Sequence, residues 1–155
     1  MKAKTVVLST ALAGALAAAS AVHALDAKVF PGNGCQAAVG SQAADFINRD
    51  DAIVNLGGGN RLVVCPILRD NDANLKGVKS VGVRVVNPNG AILNCFLQSF
   101  TVLGDLVAFD YNSTTSTVAI NLPLDIDIST KGGTYSLQCS LPPDGQILGY
   151  RVDEF

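Results

Sequence analysis

Histidine, tryptophan and glutamate are almost missing from this chain, and each shortage excludes a kind of chemistry. Tryptophan is absent, the one histidine is His23, and the one glutamate is Glu154. A hydrolytic triad needs a base, usually histidine, beside a serine or cysteine. His23 lies in an N-terminal stretch that reads as a removable leader, so no base remains after it. Positive charge is also scarce. The 11 lysines and arginines, set against 13 acidic residues, form no cluster, whereas nucleic acid or an anionic lipid surface needs a basic stripe. Close cysteine pairs are lacking too. Cys35, Cys65, Cys95 and Cys139 stand far apart in sequence, unlike the CxxC spacing of structural zinc sites. A glycosidase-like carboxylate pair would have to come from Asp50, Asp51, Asp70, Asp72, Asp125, Asp127 and Glu154. Most of these fall in turns or on polar strand faces, where a solvated carboxylate is the ordinary outcome. No catalytic residue and no cofactor is therefore expected.

What is present begins with an export pattern. Lys2 and Lys4 precede an apolar, alanine-rich run from Val6 to Ala19, and Val22-His23-Ala24 supplies small residues at the positions a signal peptidase inspects. The run is too short for a membrane-spanning helix. We expect a signal peptide over residues 1–24, cleavage after Ala24, and a secreted or periplasmic mature chain over residues 25–155. With Lys2 and Lys4 removed, nine basic residues face 13 acidic ones, a net charge of −4. The terminal Phe155 resembles the last residue of outer-membrane barrels. Counting back from it, however, Asp153 and Arg151 occupy places that would face lipid, so membrane insertion is not expected.

Within the mature chain, apolar and polar residues alternate repeatedly with the two-residue period of a strand. Tyr135, Leu137, Cys139 and Leu141 share one face, as do Val81, Val83 and Val85, and Val118, Ile120 and Leu122. Leu62 to Leu68 is apolar almost throughout, as in a strand covered on both faces, and Pro66 should end it, bulge it or place it at an edge. Ala91 to Val102 reads as a long strand that bends or twists near Asn94 to Leu97, and Ser41 to Asn48 as a short helical turn. Turns fall at Gly57-Gly58-Gly59-Asn60, Gly104-Asp105, Asn112 to Thr115, Lys131-Gly132-Gly133 and Pro142-Pro143-Asp144-Gly145. Asn87-Pro88-Asn89-Gly90 reads as a hairpin turn. About eight strands without a useful helical period indicate one all-β domain, an antiparallel β-sandwich open to jelly-roll connections, with two disulfides.

Four cysteines allow three pairings. Preference for near neighbours in sequence favours Cys35–Cys65 and Cys95–Cys139, each worth about 2–4 kcal/mol. Asp70-Asn71-Asp72-Ala73-Asn74 starts like a calcium loop, but Leu75 replaces the required glycine and Val81 the closing glutamate, which excludes an EF-hand. Asp70, Asp72 and Asn74 remain as weak calcium candidates, against the plainer reading of a polar turn. Asn112-Ser113-Thr114 has the form of a glycosylation acceptor but reads as an uncharged turn. Tyr111 is the aromatic candidate for stacking against a sugar.

Several short blocks occur together: Phe30-Pro31-Gly32 before Cys35, Val64-Cys65-Pro66-Ile67 with Arg69-Asp70, Cys139-Ser140-Leu141-Pro142-Pro143, and Gly149-Tyr150-Arg151-Val152-Asp153-Glu154. This set is similar to that of a family of small secreted bacterial proteins of uncharacterised function. The resemblance implies an exported, β-rich protein and no particular activity. It also implies that Arg69 and Arg151, beside Asp70 and Asp153, tie a loop to the last strand. The leading expectation is a non-catalytic exported structural or binding module. Alternatives are a carbohydrate- or calcium-dependent binding module, and a pilin-like or filament subunit that self-associates through edge strands.

Overall fold

Alternation in the sequence becomes two antiparallel sheets packed face to face. The computed structural model describes residues 27–68, 77–126 and 133–154. The expected leader lies outside the described residues, as do Arg69, Asp70, Asp72, Asn74, Asp127 and Phe155. Eleven strands follow in chain order: β1 (Ala27–Pro31), β2 (Gln36–Ala37), β3 (Phe46–Arg49), β4 (Ala52–Asn55), β5 (Arg61–Cys65), β6 (Val78–Val86), β7 (Leu93–Phe100), β8 (Leu106–Thr114), β9 (Ile120–Asp125), β10 (Thr134–Leu141) and β11 (Gln146–Glu154). Six of them form one sheet in the order β3-β4-β11-β6-β9, with β1 also paired to β11, and the other five form β2-β5-β10-β7-β8. Among the described residues only β3–β4 and β7–β8 are consecutive strands paired within a sheet. The other connections cross from one sheet to the other, which is the jelly-roll-like way of closing a sandwich. Among the described residues no helix is long and apolar enough to cross a membrane.

The core is what the period of two dictates. Val81, Val83 and Val85 of β6 and Leu122 and Leu124 of β9 face Leu93, Cys95 and Leu97 of β7 and Leu137, Cys139 and Leu141 of β10, all buried. Two disulfides are buried in it on the side of the five-stranded sheet, Cys35–Cys65 and Cys95–Cys139, each with a Cα–Cα separation of 4.1 Å. The second joins residues directly opposite each other on β7 and β10.

Several local expectations are corrected by the way the sheets meet. The stretch from Leu62 is not covered on both faces: β5 ends at Cys65, before Pro66, and its Leu62 and Val64 remain half-exposed on the outer surface. β7 pairs regularly with both neighbours through Asn94 to Leu97, and the irregularity in its pairing lies between Ser99 and Phe100. Asn112 to Thr114 continues β8 instead of turning, while Val118 lies outside β9 and is exposed. The Asn87–Gly90 turn forms, with the Gly90 N–H donating to the Asn87 carbonyl at 3.1 Å and φ of +64° at Gly90. It joins β6 to β7, which lie in different sheets, so it is an arch over the core and not a hairpin. The helical turn expected near Ser41 is a short 3-10 segment, Gly40–Asp45.

β11 is the centre of the six-stranded sheet, and a bulge between Ile147 and Gly149 shifts its alternation so that Ile147, Tyr150 and Val152 all point inward. Tyr150 stacks on Phe30 with ring centroids 5.1 Å apart, and its hydroxyl donates to the Pro66 carbonyl at 2.5 Å. Arg151, half-exposed, pairs with Asp153 at 2.8 Å on the outer face. Glu154 is buried in an ion pair with Lys28 of β1 at 2.9 Å, which ties β1 to the end of β11.

Burial pushes the Tyr150 phenol up to about 12. Its unfolded value is near ~10, so between these pH values the unfolded chain releases the proton and the folded chain keeps it. The stabilisation is complete below pH ~10 and is lost as pH climbs toward 12, by up to about 3 kcal/mol. Urea midpoints measured from pH 8 upward should fall more steeply in the wild type than in Tyr150→Phe. Parallel curves would remove this account.

Candidate functional site

The outer face of the five-stranded sheet is built by residues that alternate with the core. On β7 these are Asn94, Phe96, Gln98 and Phe100, each one residue away from a buried Leu93, Cys95, Leu97 or Ser99. Register extends each of them into a row. Gln138 of β10, Phe96 of β7 and Tyr111 of β8 lie side by side, as do Ser136, Gln98 and Phe109, and then Ser140, Asn94 and Ser113. On the far side of β10, Val64 and Leu62 of β5 continue the first and third rows. The Phe96 and Tyr111 rings stack with centroids 6.0 Å apart. Phe109 and Tyr111 are 63% and 59% exposed, unusually open for aromatic rings in regular strands.

No position in these rows carries a charge. Rings, primary amides and hydroxyls cover the face, so it offers flat apolar surfaces beside neutral groups that both donate and accept hydrogen bonds. Part of that polar capacity is already oriented, since the Gln138 amide donates to the Ser136 hydroxyl at 3.1 Å.

β8 reads the opposite way from its polarity. Asp110 and Asn112, the polar residues, share the core-facing side with Leu97 and Cys95, while Phe109 and Tyr111 face solvent. The reason lies across the sandwich margin. The Asp110 carboxylate accepts from the Asp125 backbone N–H at 2.8 Å, and the Asn112 amide donates to the Pro123 carbonyl at 3.0 Å. These bonds stitch the edge of β8 to the edge of β9 in the other sheet. They satisfy backbone groups that an added strand would otherwise use. The free edges at the other end of the two sheets, β2, β3 and β1, are only two, four and five residues long.

Tyr111 is thus in an exposed site. Its partners Phe96, Phe109, Gln98 and Gln138 were missed because their register cannot be read from one strand at a time. Among the described residues the carboxylate candidates are not brought together. Asp50 and Asp51 lie at the β3–β4 turn, Asp125 ends β9, and Glu154 is paired with Lys28. Among the described residues no group of three or more metal-ligating side chains converges.

No family model matches the chain, and no curated protein matches it. Solved structures do. The chain is similar to the CBM36-1 domain of a multidomain xylanase from the hindgut metagenome of Trinervitermes trinervoides, at 11% identity and a TM-score of 0.46, over 83% of this chain and 96% of that one. It is also similar to TmCBM61, solved in complex with beta-1,4-galactotriose, at 11% identity and a TM-score of 0.39, over 84% of this chain and 86% of that one. A third similarity is to the Podospora anserina GH26-CBM35 beta-(1,4)-mannanase, at 6% identity and a TM-score of 0.40, over 83% of this chain and 28% of that one.

Proposed function

We propose that this protein is a non-catalytic, exported carbohydrate-binding module that holds a neutral glycan on the outer face of the five-stranded sheet. The observation that supports it is the uncharged strip on which solvent-exposed Phe109 and Tyr111 adjoin the amides of Gln98, Gln138 and Asn94. Pyranose rings present an apolar face of C–H groups edged by hydroxyls. Such a ligand gains from flat aromatic contact and from amides that can serve as donor or acceptor. A charged partner would find nothing on this strip to pair with. Tyr111 and Phe109 supply stacking surface, and the glutamines and Asn94 orient hydroxyls. The two disulfides suit an oxidising compartment. The β9 edge, whose Asp125 N–H and Pro123 carbonyl are taken by side chains of β8, and the short β1, β2 and β3 edges favour a discrete module over a filament subunit.

The mature protein should be retarded in affinity gels containing a soluble neutral polysaccharide, drawn from xylan, galactan, mannan and β-glucan. Phe109→Ala/Tyr111→Ala should abolish that retardation with little change in melting temperature, because both rings are exposed. Retention by the double variant equal to wild type, or no retardation across the panel, would overturn the proposal.

A further inference from the structure

The opposite face of the sandwich holds a second feature that the glycan strip does not use. A groove of about 590 Å³ opens on the outer surface of the six-stranded sheet, lined in part by Val29, Gly82, Arg84, Asn121, Leu148 and Arg151. Its floor follows from register. Arg151 lies opposite Gly82, and Gly149 opposite Arg84, so two arginines and two glycines alternate over four neighbouring positions of β6 and β11. Asn121 of β9 lies on the other side of Arg84.

The two glycines differ in kind. At Gly149 a Cβ would fall 2.9 Å from the Phe30 carbonyl oxygen, so close backbone approach accounts for it. At Gly82 a Cβ would meet nothing within 4 Å, and its φ is not in the left-handed region. Gly82 nevertheless sits mid-strand in β6, between the buried Val81 and Val83. A glycine there weakens the strand, and no packing or backbone demand explains it. What its missing side chain leaves is the depth of the groove.

The polar lining then defines the occupant. Arg84 has no ion-pair partner among the described residues, whereas Arg151 is engaged by Asp153. Asp51 also lines the groove. Arg84 is therefore the arginine whose guanidinium is free of a carboxylate, and because Asp153 and Asp51 balance the formal charge of the two arginines, the groove suits a single negative charge better than a dianion. The planar guanidinium matches a carboxylate with paired hydrogen bonds. Val29, Pro31 and Leu148 provide apolar walls, and a volume of this size is in the range that holds a molecule of one or two rings. We infer that this groove is a binding site for a small organic carboxylate with a ring-sized body, seated over Gly82 with its carboxylate on Arg84.

Isothermal titration of the full mature protein with sodium benzoate and sodium D-glucuronate tests this, with D-glucose and sodium phosphate as comparisons. Saturable binding of at least one carboxylate is expected, and it should weaken at least tenfold in Arg84→Gln. Gly82→Val should abolish it while melting no lower than wild type, because the added side chain fills open space in a strand. The Phe109→Ala/Tyr111→Ala variant should bind the carboxylate as wild type does, which separates this site from the glycan strip. Three results would overturn the inference: no carboxylate binding at millimolar concentrations, binding that survives Gly82→Val, or phosphate binding as tight as carboxylate.

Discussion

Gly32→Ala is expected to destabilise the protein by about 3 kcal/mol or more. Gly32 is buried in the 3-10 turn that follows β1, and a Cβ there would lie 1.9 Å from the Ile147 carbonyl oxygen and 3.1 Å from that of Asp51. Neither neighbour can yield cheaply. Ile147 is buried backbone at the bulge of the central strand, and the Asp51 carbonyl already accepts the Asn33 N–H at 2.9 Å. Displacing this turn also strains the approach of Cys35, whose N–H donates to the Gly32 carbonyl at 3.0 Å, to its disulfide partner on β5. At a urea m-value of about 1.5 kcal/mol/M the midpoint should drop by about 2 M. Gly34→Ala is the control, because a Cβ there meets nothing within 4 Å. It should stay within about 0.5 kcal/mol of wild type. A Gly32→Ala protein with an unchanged midpoint would mean that the turn is not packed against β11 as described.

Asn55→Leu is expected to destabilise the protein by about 3–4 kcal/mol despite adding apolar volume to a buried position. Asn55 ends β4 with 0% exposure. Its amide nitrogen donates to the Leu141 and Gly59 carbonyls at 2.8 and 2.9 Å, and its oxygen accepts the Gly57 N–H at 2.9 Å. Its backbone bonds in both directions with the Pro142–Gly145 turn, donating to Gly145 at 3.0 Å and accepting from Asp144 at 2.8 Å. One side chain thus closes the glycine-rich loop and anchors the arch from β10 to β11. Leucine would leave two carbonyls and one N–H unpaired at the site, each costing about 1–3 kcal/mol where water is excluded. Asn55→Asp tests the pairing separately from size, since it keeps the shape but turns an oxygen toward two carbonyl oxygens. Thermal unfolding should place both variants well below wild type. If Asn55→Asp melted with the wild type, the amide would not be the donor described.

Neither residue announces its role in the sequence. Gly32 sits in a Phe-Pro-Gly block and Asn55 at the start of a polar, glycine-rich stretch, where turn chemistry is the natural reading. Their weight comes from what lies opposite them, more than eighty residues away in the case of Asn55 and Leu141. The exposed aromatic strip shows the same divide. Tyr111 could be singled out as an aromatic beside polar residues, but the polarity of β8 points its aromatic side inward. Only the bonds from Asp110 and Asn112 to the backbone of β9 explain why the polar side turns toward the margin of the core.

By itself the chain determined that strands with one apolar face would pair into a sandwich, because a two-residue period leaves such strands no other way to shed water from one side. It also determined the punctuation at Pro66, Gly90 and the Pro142–Gly145 arch, which depends on local backbone freedom. The tertiary structure alone decided which sheet each strand joined, which residues share a row, and where glycine is required by a neighbour and where it opens a groove. Those outcomes depend on contacts between distant segments. Neither residue type nor spacing along one strand encodes which partner stands across from it.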